Sequence, residues 1–260
     1  MSYRVFIGVG HGGKDPGAVK YVKESWANLV IGLELKRLLE AAGLTVGISR
    51  IKEEDDDINE EIREANAFRP DLAFEVHNNA GGGDGFEVYI GNNRHTAKSR
   101  ACAEAVEKEV KAIGQKSRGV KTGTFGWVRL IDAPAVLTEG FFVDNLADAS
   151  GFDTESELHK LATAYAKGVL AYFGIKGESV ANSSRQAVSE KFGLQGNTLD
   201  FLIGYNGGSI LRKLAAAGKP VTYREIVQAM YNLSDAEMKY MDQWPWATDL
   251  YKKIIGEVKL

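Results

Sequence analysis

One cysteine among 260 residues, Cys102, excludes an internal disulfide framework and a thiolate metal cluster. It stands in Ala101-Cys-Ala-Glu-Ala-Val106, a helix-like stretch where a thiol serves as small core filler. No apolar run approaches the ~20 residues that span a bilayer, so no membrane insertion is expected. The opening Met1-Ser-Tyr-Arg-Val-Phe6 lacks the basic, apolar and small-residue regions of a secretory signal, and the expectation is synthesis in the cytoplasm. Charge of one sign is missing too. With 32 Lys and Arg against 35 Asp and Glu, the formal net charge of -3 singles out neither nucleic acid nor an anionic membrane as a partner. Histidine is scarce, four residues in all, and no compact HExxH occurs. A histidine metal site must therefore be assembled from residues distant in the chain.

What is present, 44% hydrophobic and 26% charged residues, suits a globular protein of one or two domains. Arg4 to Val9 reads as a buried strand that breaks into glycines around His11. From Glu24 to about Ala42, Trp26, Leu29, Val30, Leu33, Leu35, Leu38 and Leu39 recur at helical spacing, and Gly43 supplies the stop. Leu44 to Arg50 reads as a second strand, the acidic run Glu53 to Asp57 as a loop into a helix through Ala67, and Pro70 as its break. Asp71 to His77 and Phe86 to Ile90 read as strands. A helix carrying Ala101, Ala105, Val106, Val110 and Ile113 follows, then a loop holding Arg118-Gly-Val-Lys121. Trp127 to Ile131 and Ala135 to Thr138 read as short strands, the second ending on Glu139, and Thr154 with Glu157 forms a capping box for a helix to about Tyr172. This alternation predicts an α/β sheet layered by helices, with His11, His77 and Glu139 where strands run out.

After Phe173 the composition changes. Residues 1–175 form the expected catalytic domain, 176–184 a linker, and 185–260 a small all-α C-terminal module. In the module Thr222 with Glu225 and Ser234 with Glu237 form further capping boxes. It is aromatic-rich and carries no basic stripe, so wall binding or self-association is expected of it and DNA binding is not.

Gly8-Val9-Gly10-His11-Gly12-Gly13 spells the G-x-G-x-x-G of dinucleotide sites. Such a site needs its glycines to open directly into a helix, with an acidic residue at the end of the next strand. Here Lys14-Asp15-Pro16-Gly17 prolongs the loop, the helix waits until about Glu24, and the second strand ends on Ser49-Arg50. The nucleotide-binding oxidoreductase reading lacks its context. A catalytic zinc asks instead for three nitrogen or oxygen ligands, an open position, and a nearby carboxylate to move protons. His11, Glu24 and His77 are candidates for the ligands and Glu139 for the carboxylate, although spacing alone does not join them.

The chain closely resembles the zinc-dependent N-acetylmuramoyl-L-alanine amidases of the amidase-3 type, found in bacterial autolysins and phage endolysins. The resemblance rests on Gly10-His11-Gly-Gly-Lys-Asp-Pro-Gly-Ala18, Glu24, Ser49-Arg50, Arg63-Glu-Ala-Asn66 and Glu75-Val-His77-Asn-Asn-Ala80. It continues through Gly85-Phe-Glu87, Arg118-Gly-Val-Lys121 and Pro134-Ala-Val-Leu-Thr-Glu139-Gly-Phe-Phe-Val-Asp-Asn145, covering about residues 1–173. It implies a twisted, mostly parallel six-stranded sheet flanked by helices, one zinc ion held by His11, Glu24 and His77, and Glu139 working opposite the metal. It also implies peptidoglycan as substrate, cut at the amide between the lactyl group of N-acetylmuramic acid and L-alanine of the stem peptide. Two departures are small: Asn78 replaces the usual first alanine of His-Ala-Asn-Ala, and Thr138 replaces an aliphatic residue.

Asn78 and Asn79 are candidates for contact with peptide or sugar, against the plain reading of turn asparagines. Arg63 is expected to bridge a buried carboxylate sooner than a substrate one. His95 and His159 are placed outside the site. With no secretory signal at its start, the chain is expected to act at the cell wall after release, as a phage or prophage endolysin does. The alternative is a wall-binding or regulatory protein that keeps the fold without turnover.

Overall fold

The computed structural model describes residues 2–55 and 57–175. The linker and helical module expected beyond them lie outside the described residues. The chain runs β1 (Arg4–Val9), α1 (Glu24–Ala41), β2 (Thr45–Ile48), α2 (Ile58–Phe68), β3 (Leu72–Asn79) and β4 (Phe86–Ile90). It continues through α3 (Thr96–Ala112), β5 (Ser117–Thr122), α4 (Gly126–Leu130), β6 (Ala135–Phe142), α5 (Leu146–Ala149) and α6 (Glu155–Tyr172). The strands form one six-stranded sheet in the order β2-β1-β3-β6-β4-β5, parallel throughout except where β4 meets β6. The expected mostly parallel α/β sheet is what the chain forms.

Alternation along the buried strands divides the core. Val5, Ile7 and Val9 of β1 with Phe74 and Val76 of β3 face α1, α3 and α6, whose Ile31, Leu35, Val106, Leu161 and Tyr165 complete the larger layer. Phe6, Ala73, Ala135 and Leu137 point the other way, onto Ile62 and Ala65 of α2 and Trp127 and Val128 of α4. Helix ends follow their chemistry: Asp57 accepts hydrogen bonds from the amides of Asn59 and Glu60 to open α2, and Thr154 with Glu157 closes the expected box at α6. Among the described residues no helix is long and apolar enough to cross a membrane.

Three elements differ from the sequence reading. Trp127 to Leu130 belongs to a short helix and not to a strand, because five apolar-rich residues carry no periodicity that separates the two. Arg118 to Lys121, expected in a loop, lies in edge strand β5, whose half-exposed polar residues hide its strand character. Strand β6 does not end on Glu139 but runs on to Phe142, with one extra residue between the pairs His77–Glu139 and Asn79–Phe142. Glu139 thus stands inside the sheet, opposite His77 on β3 and Glu87 on β4.

Asp148 ties this corner together. Buried in α5, it accepts hydrogen bonds from the backbone amides of Gly85 and Phe142, both at 2.8 Å, and from Gln115 Nε2 at 2.9 Å. Asp148→Ala takes this acceptor from both backbone amides, while Gln115 keeps its bond to the Gly140 carbonyl at 3.1 Å, and is expected to cost about 2–4 kcal/mol, read as a lowered midpoint in urea denaturation. An unchanged midpoint would contradict this role.

Candidate metal centre

The loop after β1 is shaped by the backbone of His11 itself, which adopts φ of +62°. A non-glycine residue there is uncommon and costs about 1–2 kcal/mol, so the surroundings must hold it. Gly12 and Asp15 exchange backbone hydrogen bonds at 2.8 and 2.9 Å, folding the loop so that the Asp15 carboxylate meets His11 Nδ1 at 2.8 Å. Buried Arg50, closing the loop from the end of β2, donates to the carbonyls of Val9, Gly10 and Ser25. This fastens the end of β1 to the first turn of α1.

Glu24 opens α1 with its carboxylate turned inward. Its Oε1 lies 3.3 Å from His11 Nε2, 3.1 Å from His77 Nδ1 and 3.1 Å from the amide of Asn78, while Oε2 accepts from the amide of Ala18 at 2.9 Å. His77 reaches this point from β3, the neighbour of β1 in the sheet. One ligand atom each from His11, Glu24 and His77 lies within 4.8 Å of the others, a group able to hold a metal ion. The remaining ring nitrogens also face carboxylates: His11 Nδ1 faces Asp15, and His77 Nε2 lies 3.2 Å from Oε1 of buried Glu75. A carboxylate behind a ligating imidazole fixes its tautomer and orients the ring.

Two glycines make room for the ligands. A Cβ on Gly10 would stand 2.1 Å from His77 Nε2, and one on Gly17 would stand 2.6 Å from Glu24 Oε2 and 2.8 Å from His11 Cδ2. The charges are matched accordingly. Burial pushes the Glu24 carboxyl up, but hydrogen bonds from His11 and His77 outweigh it and hold the group far below the usual range. The His11 imidazole is raised chiefly by its hydrogen bond to Glu24. Burial lowers His77, but its bonds to Glu24 and Glu75 prevail and raise it well above its ordinary value. A cation entering here displaces protons from both rings.

Glu139 faces the same side of the sheet one strand over from His77, with its Oε2 shut off from solvent and without a hydrogen-bond partner among the described residues. Burial pushes its carboxyl up to about 7. A cleft of about 290 Å³ adjoins the cluster, lined by His11, His77 and Glu75 together with Ile58, Phe125 and Trp127.

The two asparagines part company. Asn78 is buried, with its Nδ2 bonded at 2.7 Å to Asn28 Oδ1, and its side chain points into the fold, away from the cluster. Asn79 lies on the His77 face and donates to Glu87 at 3.4 Å. Arg63 is exposed and bonds within its own helix, to the Asn59 carbonyl and weakly to Glu60, and not to the buried carboxylate expected. His95 stands just before α3, with no capping bond from its side chain, and His159 sits in α6, both outside the cluster. Asp15 and Glu75 are not among the site candidates read from the sequence. Their spacings, four residues from His11 in a tight loop and two from His77 along a strand, are the signals that find them.

A family profile described as N-acetylmuramoyl-L-alanine amidase, Amidase_3, matches residues 5–171. The sporulation-specific N-acetylmuramoyl-L-alanine amidase of Bacillus subtilis (strain 168) is 34% identical over 180 residues, covering 66% of this chain and 69% of that protein. The endolysin of Bacillus phage SPP1 is 31% identical over 194 residues, covering 72% of each. The crystal structure of an N-acetylmuramoyl-L-alanine amidase from Clostridium difficile 630 superposes with a TM-score of 0.63 at 27% identity, covering 67% of this chain and 98% of that one. With its mostly parallel six-stranded sheet and a His/Glu/His cluster beside a half-buried glutamate, the chain belongs to the Amidase_3 family of peptidoglycan amidases.

Proposed function

We propose that the chain is a zinc hydrolase that cleaves the amide between the lactyl group of N-acetylmuramic acid and L-alanine of the stem peptide. The observation that carries this is the convergence of two imidazoles and one carboxylate, His11, His77 and Glu24, one strand from Glu139. Mixed nitrogen and oxygen donors, three in number, suit zinc in a catalytic setting. When bound, zinc supplies Lewis-acid polarisation of a carbonyl and acidifies water. The protein does the rest. Glu75 and Asp15 orient the rings, Arg50 holds the loop, and Glu139 takes a proton from the attacking water and gives it to the departing amine, which leaves poorly unless protonated. Burial, which favours the protonated form of this carboxyl, helps it to hold the proton between the two halves of that transfer.

The relatives are mostly bacterial cell-wall amidases, with a phage endolysin among them. An endolysin setting, with release from the cytoplasm before action at the wall, is the narrower form of this proposal and rests on the SPP1 likeness. Retention of the whole cluster with Glu139 opposes the reading of a binding protein without turnover. Digestion of purified peptidoglycan is expected to release stem peptides with free L-alanine amines, seen by mass spectrometry. Chelator is expected to stop this and zinc to restore it. Release of reducing sugars, or turnover indifferent to chelator, overturns the proposal.

A further inference from the structure

Gly85-Phe-Glu87 and Arg118-Gly-Val-Lys121 carry polar groups that the reaction above does not use. Glu87 is buried on β4, directly opposite Glu139 across the antiparallel pair. Four donors converge on it: Arg118 Nε and Lys121 Nζ from β5, Tyr89 Oη at 2.7 Å and Asn79 Nδ2 at 3.4 Å. One carboxylate thus faces two cations, on the strand pair next to Glu139.

The Arg118 guanidinium is held but not used up. Its Nε is fixed by Glu87, its Cζ stands 5.3 Å from the centroid of the Phe142 ring, and its side chain keeps 39% exposure. Neither of its terminal nitrogens has a partner among the described residues. The extra residue in β6 between Glu139 and Phe142 puts this ring at the end of the strand, under the guanidinium. An oriented fork with two unused N–H edges matches a carboxylate.

We propose that Arg118, supported by Lys121, binds a free carboxylate on the peptide leaving group and makes the enzyme selective for stem peptides that carry one close to the cut. This rests on the amidase reading. Two strand spacings of about 4.8 Å separate β6 from β5, and an extended peptide advances about 3.3–3.6 Å per residue. The carboxylate therefore belongs to the second or third residue after the scissile bond.

The test uses synthetic muramoyl peptides that differ only in bearing a carboxylate or a carboxamide at the second or the third residue. Wild type is expected to favour the acid by about tenfold or more in kcat/KM, mostly through KM, as befits a charge-assisted hydrogen-bond pair. In Arg118→Gln the ratio falls towards one, whereas Arg118→Lys keeps part of it. Calorimetry with the corresponding free peptides reads the same preference without turnover. Peptides that show the binding preference in a protein that cuts neither substrate would support this site and sink the amidase reading. Equal treatment of acid and amide by wild type, or a preference that survives Arg118→Gln, overturns the proposal.

Discussion

Glu139→Gln is expected to lower kcat by about 10²–10⁴-fold while zinc content stays at the wild-type level. Glutamine fills the same volume but cannot take the proton of the attacking water, and Glu139 stands outside the His11, Glu24 and His77 cluster. The pH profile should separate this from a general loss of packing. Wild-type activity requires the ionised carboxylate, so it rises with pH through the Glu139 pKa. Burial sets that near 7 in the metal-free site, and the charge of a bound ion draws it lower. The acid limb is expected to vanish in Glu139→Gln. Stability moves in the opposite sense. The folded pKa lies above the unfolded value of about 4.3, so the folded state holds the extra proton between the two, and burial of Glu139 costs stability progressively as pH rises through that window. The metal-free glutamine variant should therefore be the more stable protein above pH 7, by thermal denaturation. A variant with wild-type turnover removes Glu139 from the mechanism.

Much of the sheet is legible in the chain because its central strands are short apolar runs bounded by glycine, proline or polar residues, as Arg4–Val9 and Leu72–Asn79 are. The errors fall where that signal fades: in Ser117–Thr122, a polar edge strand, and in Gly126–Leu130, too short for a period to show. The ligands are legible only by resemblance. Glu24 and His77 are 53 residues apart, and what brings them together is that β3 lies beside β1, so that the first turn of α1 overhangs the end of β3. Local sequence does not encode that neighbour relation. Some of the rest follows from strand alternation alone. Glu75, His77 and Asn79 share a face of β3, and Asn78 does not, which is why it is buried against Asn28 while Asn79 joins the Glu87 network.

Gly10→Ala is expected to remove metal binding while sparing the fold. The glycines around His11 invite an explanation from turn geometry, and for Gly13 and Gly17, with φ of +54° and +64°, that holds. Gly10 is different, for it has no positive φ and any residue can adopt its backbone. What it lacks is a side chain where His77 needs to be: the added Cβ would meet the imidazole at Nε2, Cε1 and Cδ2, at 2.1, 2.2 and 2.7 Å. An imidazole can swing away without moving the sheet, so the clash is relieved by giving up the ligand, and His77 leaves both Glu24 and Glu75 as it goes. Loss of a supporting contact to a metal ligand typically costs 10–100-fold in affinity, and displacement of the ligand itself should cost at least the upper end of that range, about 100-fold. Competition with a chromophoric chelator measures it, and turnover at limiting zinc should fall in parallel. Thermal denaturation of the metal-free protein should still show one cooperative transition, at a lowered midpoint: Gly10 keeps its backbone bond to Val76 and the carbonyl that Asn28 and Arg50 hold, while buried Glu24 and Glu75 lose the imidazole. If Gly10→Ala binds zinc as tightly as wild type, His77 is not where the ion is held, and the arrangement built around it fails.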